Sequence, residues 1–337
     1  MAAEAAKLEL VRQVADAVGV RVGLPDRIEV PTVADYVPRV MAAATPATRR
    51  SYKSYWLRAG RYFAERRLDE LMASDIAAFH QHVVDTAPQR GAVRLGRYAG
   101  VSAIRAMRRL FRNAANDGLV HKDDNPALKV PLPRRLPSVR RGLTPAEIAD
   151  INRVLATGGN DVVLDLLLYR LHLETACRRG GALGLRRRDL DVEYCRVALR
   201  EKGGTLRWQP ISPTLAAALL AHNEHRSNGN RDGALLRRRD GRPLTARRYD
   251  SLWRRVRRAL PWAAELSVSA HWLRHTTLTW VERSCSYAVA RAYAGHTDAK
   301  GGSTLTYIKG LCQEVATALA WYTGEAHPLA LPDLAVA

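Results

Sequence analysis

Apolar residues recur along most of this chain at intervals of three and four, the spacing that places them on one face of an α-helix. The first such segment ends at a turn of sequence GLPD and predicts a helical arm; its apolar positions are Leu8, Val11, Val14 and Val18. Proline, glycine and polar breaks separate the later segments. These predict helices over residues 33–44 (kinked or shortened at Pro38), 48–65, 74–84, 93–116, 144–156, 161–176, 213–225, 246–260, 271–283 and 288–295.

One part of the chain favours strands over helices. Asp191 to Leu199 has a β-like composition, the letters EKGGT form a glycine-rich turn, and residues 206–211 follow as a returning strand. We therefore predict a mainly α fold with a small antiparallel β-hairpin or sheet, in the α+β class.

A proline-rich segment divides the chain in two. Residues 124–141 contain four prolines and cannot continue a helix. A new helix start follows, because Thr144 is a suitable N-cap, Pro145 fits the first turn and Glu147 completes a capping box. We predict a helical extension over 1–31, an all-helical domain over 32–130, a linker over 131–142, a second domain over 143–325 and a tail over 326–337.

The chain carries a large excess of positive charge. Lys and Arg number 53 against 33 Asp and Glu, which gives a formal charge of +20 and a pI near 10.4. Such a balance predicts a polyanionic partner or a membrane surface. The most apolar run, residues 162–173, is interrupted by Asp165 and Arg170 and is shorter than the roughly 20 residues of a membrane span. Since no secretory signal is visible in MAAEAAKLEL, we expect a soluble cytoplasmic protein.

The cysteines do not suggest a metal site or a disulfide framework. Cys177, Cys195, Cys285 and Cys312 are scattered without any CxxC pair. No carboxylate cluster has the spacing of metal ligands either. We expect reduced, structural cysteines and no bound metal.

Two predicted helices of the first domain are rich in arginine. One is residues 48–65, where tyrosines and a tryptophan alternate with basic side chains; the other is residues 93–116, where arginines flank an apolar stripe. A single run of charge is usually a solvated face, but two such helices in one acid-poor domain favour phosphate contacts. The residues that we expect to contact DNA are Arg49, Arg50, Lys53, Arg105, Arg108 and Arg112.

Four separate places in the second domain supply groups suited to attack on a phosphodiester. They are Arg178 in TACRRGGALGLRRRDLD, Lys202 in EKGGT, the pair His271 and Arg274 in HWLRH, and His296 in AGHT followed by Tyr307. Each alone has an ordinary structural interpretation: a helix cap, an exposed turn lysine, a buried core histidine. Found together in one basic protein, they favour chemistry on DNA, and His271 and Arg274 share one helical face.

These strings resemble the tyrosine recombinase (phage integrase) family. The family's arginine box, a Thr-Gly-x-Arg string that ends in Asp-hydrophobe-Asp, is matched at Thr175, Arg178, Asp189 and Asp191. Its hairpin lysine is matched by Lys202, its His-x-Leu-Arg-His-Thr box by residues 271–276, its Leu-Gly-His box by residues 294–296 and its nucleophile by Tyr307. The first domain fits the family's core-binding domain in position and size.

The resemblance implies a division of labour among six residues. Arg178 and Arg274 offer forked, permanently charged donors to the phosphate oxygens, and His296 adds a further donor. His271 accepts the proton of Tyr307, whose phenol has an ordinary pKa of about 10. Lys202 protonates the departing 5′ oxygen. Since the phosphotyrosyl bond retains the energy of the broken one, no metal or cofactor is expected.

The family also implies an assembly. Each subunit is expected to clamp double-stranded DNA between its two domains, and four subunits exchange strands through a Holliday junction. The apolar positions of residues 311–322 fit either a helix that docks into a neighbouring subunit or one that packs within its own chain.

Two departures from the family pattern keep other functions open. Gly181 replaces the acidic residue that usually follows the box arginine, and Gly301-Gly302 lengthen the segment between His296 and Tyr307. A catalytically silent DNA-binding protein on the same fold is one alternative. A type IB topoisomerase, which shares the chemistry, is another.

Overall fold

A computed structural model of the chain describes residues 29–87, 95–121, 123–134, 140–200, 206–227, 229–295 and 312–331, with six positions before residue 18. The chain divides into two compact units, Met1–Leu136 and Pro137–Ala337. Among the described residues, helices predominate and the named strands form one three-stranded antiparallel sheet, as the sequence predicted. The finer division into 1–31, 32–130, 131–142, 143–325 and 326–337 remains a prediction.

The described part of the first unit is helical. Thr32 and Thr45 cap the first two helices by accepting hydrogen bonds from the amides of Asp35 and Thr48. Pro46 at the first turn starts the second helix earlier than its apolar pattern indicated. The helices are α1 (Val33–Ala43), α2 (Pro46–Tyr62), α3 (Ala73–Asp85), α4 (Leu95–Asn116) and α5 (Pro126–Lys129), with a 3-10 turn at Leu68–Glu70.

Aromatic and aliphatic side chains fill the core of this unit. Trp56 of α2 is fully buried, and its indole N–H donates to the carbonyl of Ala106 at 2.9 Å. The apolar stripe predicted on α4 is buried at Ile104, Met107 and Phe111. Helix α4 therefore lies at the centre of the unit, and its basic residues flank the buried stripe.

Glycine allows α3 and α4 to approach closely. A Cβ added at Gly100 would lie 2.6 Å from Nε2 of His80 and 2.7 Å from a methyl group of Val84. Both distances are shorter than real carbon contacts, so a larger residue at this position forces the helices apart.

The second unit contains nine further named helices and the sheet within its described residues. Thr144, Pro145 and Glu147 start its first helix with the predicted capping box. The elements are α6 (Pro145–Thr157), α7 (Val162–Thr175), α8 (Arg179–Leu183), a 3-10 turn (Arg187–Asp189), β1 (Leu190–Asp191), β2 (Arg196–Arg200), β3 (Leu206–Pro210), α9 (Pro213–Arg226), α10 (Ala246–Ala259), α11 (Pro261–Glu265), α12 (Ala270–Ser284), α13 (Tyr287–Ala294) and α14 (Cys312–Thr323).

The sheet corrects one predicted strand. The stretch predicted as a single strand over 191–199 is divided into β1 and β2 by a tight turn. The Asp191 carboxylate accepts a hydrogen bond from the amide of Tyr194 at 3.2 Å, and Cys195 adopts a left-handed backbone with φ of 46°. Beyond the turn, β2 pairs with β3 in the register Leu199 to Arg207.

The C-terminal helix packs within its own chain. Val315 and Leu319 of α14 are buried against Val281 and Tyr293 in a small apolar cluster. The residues that follow are also held, because the buried His327 ring lies 3.0 Å from the carbonyl of Cys195. Of the two placements that the sequence left open for this helix, the isolated chain adopts the internal one.

The described residues contain neither a membrane-spanning helix nor a cluster of metal ligands. No helix in that part of the chain is long and apolar enough to cross a membrane. The same residues hold no group of three or more His, Cys, Asp and Glu side chains placed to bind a metal ion. All four cysteines are free thiols.

Candidate active site

A left-handed turn at the end of α7 directs the chain into the site. Ala176 has φ of 49° and ψ of 21°, and its amide donates to the carbonyl of His172 at 3.0 Å. The turn ends α7, and Arg178, with an extended backbone, occupies the position just before α8. Arg178 is half-buried and lines a cavity of about 350 Å³ together with His271.

Helix α12 brings the second motif to the same place. Its inner face is fixed by the hydroxyl of Thr277, which donates to the carbonyl of Leu173 in α7 at 2.6 Å. The neighbouring Thr276 accepts a hydrogen bond from the amide of Leu143, just before α6, at 2.9 Å. Helix α12 is therefore hydrogen-bonded both to α7 and to the segment that precedes α6.

Arg274 is held by backbone carbonyls on two sides. Its side chain is almost fully buried, with a residue exposure of 4%. One guanidinium nitrogen donates to the carbonyl of Ala176 at 2.5 Å, and the other to the carbonyl of Ala294 at 2.7 Å. Charge-assisted bonds to two rigid turns fix the plane of the fork. One arginine therefore joins the arginine box, the α12 motif and the end of α13.

His271 lies at the mouth of the cavity among positive charges. Its ring contacts that of His275 edge to face, with 4.8 Å between centroids. Partial desolvation, and then repulsion from His275, Arg140, Arg274 and Arg178, lowers the pKa of His271 to about 4. At neutral pH the imidazole is uncharged and has a nitrogen able to accept a proton.

A buried polar layer supports the turn that carries Arg178. His172 lies with one ring nitrogen 3.0 Å from the carbonyl of Cys177 and the other 2.8 Å from the hydroxyl of Tyr249. Glu174 accepts hydrogen bonds from the amide and hydroxyl of Ser212 at 2.8 and 3.0 Å. The last turn of α7 is thus tied to α9 and α10, and the polar groups of the layer are paired.

The acidic end of the arginine box holds the sheet. Both carboxylate oxygens of the buried Asp189 accept from the guanidinium of Arg200, at 2.5 and 2.7 Å. This ion pair anchors the end of β2, two residues before Lys202 in the chain. A Cβ at Gly181, the departure noted in the sequence, would meet Leu199, Cys177 and Arg200 only at ordinary distances of 3.6 to 3.9 Å.

Three of the six predicted catalytic residues lie outside the described residues: Lys202, His296 and Tyr307. The other three, Arg178, His271 and Arg274, lie in the second unit. Of the tyrosines near the motifs, Tyr293 is fully buried and donates its hydroxyl to the carbonyl of Glu174. Burial also raises its pKa well above the ordinary value, so Tyr293 is unsuited to be a nucleophile.

The basic residues predicted to contact DNA differ in their surroundings. Arg50, Lys53, Arg105 and Arg112 are exposed, as is Arg49, which reaches back to the carbonyl of Ala42 at 3.2 Å. Arg108 is half-buried and donates to two carbonyls of the α5 segment, Ala127 at 2.9 Å and Val130 at 2.8 Å. Its guanidinium therefore stabilises the packing of the α5 segment on α4.

Helix α10 is basic on its outer face, although none of its residues was among those expected to contact DNA. Arg247, Arg254 and Arg258 are exposed at helical spacing, while Tyr249 and Trp253 are buried. The same helix lines the cavity that contains Arg178 and His271. The letters RRYDSLWRRVRR show this amphipathic pattern, but their distance along the chain from the motifs gave no reason to place them at the site.

Comparisons with known proteins agree with these motifs. The phage integrase family model matches residues 141–309. Tyrosine recombinase XerD of Mycobacterium leprae (strain TN) is 29% identical over 300 residues, and that of Mycobacterium tuberculosis (strain ATCC 25618 / H37Rv) 30% identical over 305 residues. Each alignment covers 84% of this chain and 92% of the relative.

Solved structures show the same fold. A lambda integrase dimer bound to a COC' core site has a TM-score of 0.61 at 17% identity, over 79% of this chain and 96% of that one. The Tn1549 transposon integrase in complex with circular intermediate DNA has a TM-score of 0.60 at 18% identity, over 85% of this chain and 98% of that one.

Proposed function

The chain belongs to the phage integrase family, and from that premise we propose that it is a site-specific tyrosine recombinase that cuts and rejoins double-stranded DNA. One observation carries the proposal: the buried fork of Arg274 holds together the turns of two separate motifs, beside a cavity lined by Arg178 and His271. Fixed guanidinium charge of this kind suits the charge that develops on a phosphate under attack.

The proposed reaction begins at Tyr307. Its phenolic oxygen attacks the scissile phosphorus, the bond from phosphorus to the 5′ oxygen breaks, and a 3′-phosphotyrosyl bond forms. His271, neutral at pH 7, accepts the phenolic proton directly or through water, and Lys202 donates a proton to the 5′ oxygen. Arg178, Arg274 and His296 stabilise the charge on the non-bridging oxygens. Attack by a 5′ hydroxyl reverses the step and rejoins the strand.

The assembly is proposed on the same grounds. The relatives include lambda integrase structures of a dimer on a core site and of a tetramer on a Holliday junction. We infer that this chain also acts as a tetramer on two DNA sites and exchanges strands through a Holliday junction. A DNA substrate implies a cytoplasmic location at the nucleoid. The arginine faces of α2, α4 and α10 supply the positive charge for the duplex backbone.

A covalent trapping experiment tests the proposal. Random duplexes retained by the wild-type chain would first define its binding site, and a nick placed beside the cleavage position would then let the released fragment diffuse away. We expect a denaturation-resistant protein–DNA adduct with the wild type and none with Tyr307→Phe. A selected site that yields no adduct would instead support a silent DNA-binding protein. Relaxation of plasmids that lack the selected site, at the same rate as plasmids that carry it, would support a topoisomerase.

A further inference from the structure

Arg207 of β3 reaches across to the end of α13. Gly295 closes that helix with φ of 65°, and the position where its Cβ would lie is filled by the side chain of Arg207, whose Cδ is 2.6 Å away. Arg207 is half-buried, and its guanidinium donates to the side-chain oxygen of Gln209. The arginine thus packs on the backbone of the turn, which only glycine leaves open to it.

The charge of Arg207 also reaches the turn at the end of α7. Burial alone would raise the pKa of the Cys177 thiol, yet that pKa is lowered, chiefly by His172 and in smaller part by Arg207. Cys177 directly follows Ala176, whose carbonyl accepts from Arg274. Arg207 therefore contacts the turn at Gly295 and lies within electrostatic reach of the turn at Cys177.

We propose that Arg207 is a positioning residue for Arg274. By filling the space over Gly295, it fixes the direction of the neighbouring Ala294 carbonyl, which accepts from Arg274 at 2.7 Å. When Arg207 is shortened, the turn gains room and the Arg274 fork loses one of its two fixed acceptors. This inference rests on the proposed function, because it concerns the rate at which the scissile phosphate is attacked.

The loss is expected in catalysis and not in DNA affinity. Displacing a catalytic group by about 1 Å, or removing its support, commonly slows a reaction by about 10- to 100-fold. For Arg207→Ala we expect such a decrease in the single-turnover rate of adduct formation, with DNA affinity within about threefold of the wild type. Arg207→Lys fills the space with a chain of similar length and is expected to recover part of the rate.

The matched control is Arg196→Ala in the same sheet. It removes the same charge, but the Arg196 guanidinium stacks 4.5 Å from the Trp208 ring and pairs with Asp191 at 2.8 Å, away from Gly295. Its adduct should form at the wild-type rate. Thermal unfolding and circular dichroism of all variants would show that they are folded under the assay conditions.

A modified substrate distinguishes a displaced Arg274 guanidinium from a general loss of activity in Arg207→Ala. Replacing one non-bridging oxygen of the scissile phosphate by a methyl group makes that phosphate neutral, so its attack depends less on guanidinium charge. The rate ratio of wild type to Arg207→Ala should therefore fall from about 10- to 100-fold on the natural linkage to less than about fivefold on the neutral one. The same collapse is expected for Arg274→Ala. Equal slowing on both substrates would overturn the proposal.

Gly295→Ala provides a second variant that acts from the other side of the contact. An added methyl group displaces the Arg207 side chain, so the double variant should be no more than about threefold slower than the slower single variant. If the fold-decreases in rate of the two single variants multiply in the double variant, the two residues act independently and the proposal is overturned. If the wild type forms no adduct on the natural linkage, the proposed function itself fails. If the wild type forms the adduct and Arg207→Ala forms it at the same rate, only the role of Arg207 is disproved.

Discussion

Arginines of the two units are held in opposite ways. Arg274 in the second unit is buried and bonded to two backbone carbonyls, whereas Arg105 and Arg112 on α4 of the first unit are exposed. Burying a guanidinium is costly unless its donors are paired, so the structure fixes Arg274 in one orientation. Exposed arginines keep their rotamer freedom and adapt to a phosphate backbone of varied shape. The two kinds of arginine should therefore fail differently when mutated.

Arg274→Lys tests the fixed charge and should have the largest effect. Lysine keeps the charge but cannot bridge both carbonyls with a planar fork. We expect adduct formation to slow by about 100- to 1,000-fold, the usual loss when one donor to the transition state is removed, while DNA affinity changes by less than about threefold. Single-turnover cleavage and a binding titration on the same duplex measure the two effects.

The control for Arg274→Lys is a half-buried arginine of the same unit. Arg226 donates to both carboxylate oxygens of Asp161 at 2.6 and 2.9 Å, at the opposite end of α7 from Arg178. Arg226→Lys should lower the melting temperature and leave the cleavage rate of the folded protein unchanged. If both variants lose cleavage equally, the loss in Arg274→Lys reflects general destabilisation and not the position of the Arg274 charge.

The exposed arginines should govern affinity and its salt dependence. Changing Arg105 and Arg112 together to Ala removes up to two phosphate contacts, and should reduce the slope of log affinity against log salt by about 1.8. Affinity at moderate salt should fall roughly tenfold, with little change in the rate of cleavage once DNA is saturating. Fluorescence anisotropy at several salt concentrations gives both numbers.

Arg108 is the internal control on the same helix. Because it donates to the carbonyls of Ala127 and Val130, Arg108→Ala should destabilise the unit by about 1–3 kcal/mol and barely change the salt slope. A slope that falls as much for Arg108→Ala as for one exposed arginine would remove the distinction between them.

Periodicity and motifs predicted much of the fold. They failed where the backbone conformation of a single residue determines the path of the chain. The helices, the α6 cap and the buried face of α4 follow from local pattern. The turn that splits the predicted strand depends on the left-handed backbone at Cys195. The turn whose carbonyl accepts from Arg274 depends on a similar backbone at Ala176. Neither conformation is favoured by the residue that adopts it, so sequence pattern gave no signal for either.

The predicted site shows the same limit. Charge and spacing selected Arg178, His271 and Arg274, and the structure brings the first two to one cavity. The spacing did not reveal that Arg274 is bound to carbonyls from two other motifs, because those acceptors are backbone atoms that carry no residue identity. Arg207 and helix α10 were not selected for a related reason: their approach to the site depends on tertiary packing. The roles of Lys202, His296 and Tyr307 stay predictions.

Titration of His271 would measure how closely the fixed charges are packed. In the free protein its NMR midpoint should lie near pH 4, below the ordinary value of 6.5. His275→Ala removes the nearest repulsion and should raise the midpoint, and a bound scissile phosphate should raise it further. Because the pKa of His271 is lower in the folded protein than in the unfolded chain, the unfolded chain binds the proton first. The contribution of His271 to the free energy of unfolding should therefore fall as the pH is lowered from about 6.5 to 4. A midpoint near 6.5 in the free protein would contradict the clustered arrangement of charge.

Ala176→Gly should have the smallest effect and would show whether strain contributes to fixing Arg274. An alanine with φ of 49° is disfavoured, so glycine should stabilise the unit by about 0.5–1 kcal/mol, after allowance for its greater freedom in the unfolded chain. The control Ala182→Gly lies in helix α8 and should destabilise by about 1 kcal/mol. Thermal melts give both signs. If Ala176→Gly also cleaves DNA at the wild-type rate, the carbonyls alone hold the Arg274 fork; a slower rate would mean that the stiffness of the alanine turn is part of what orients it.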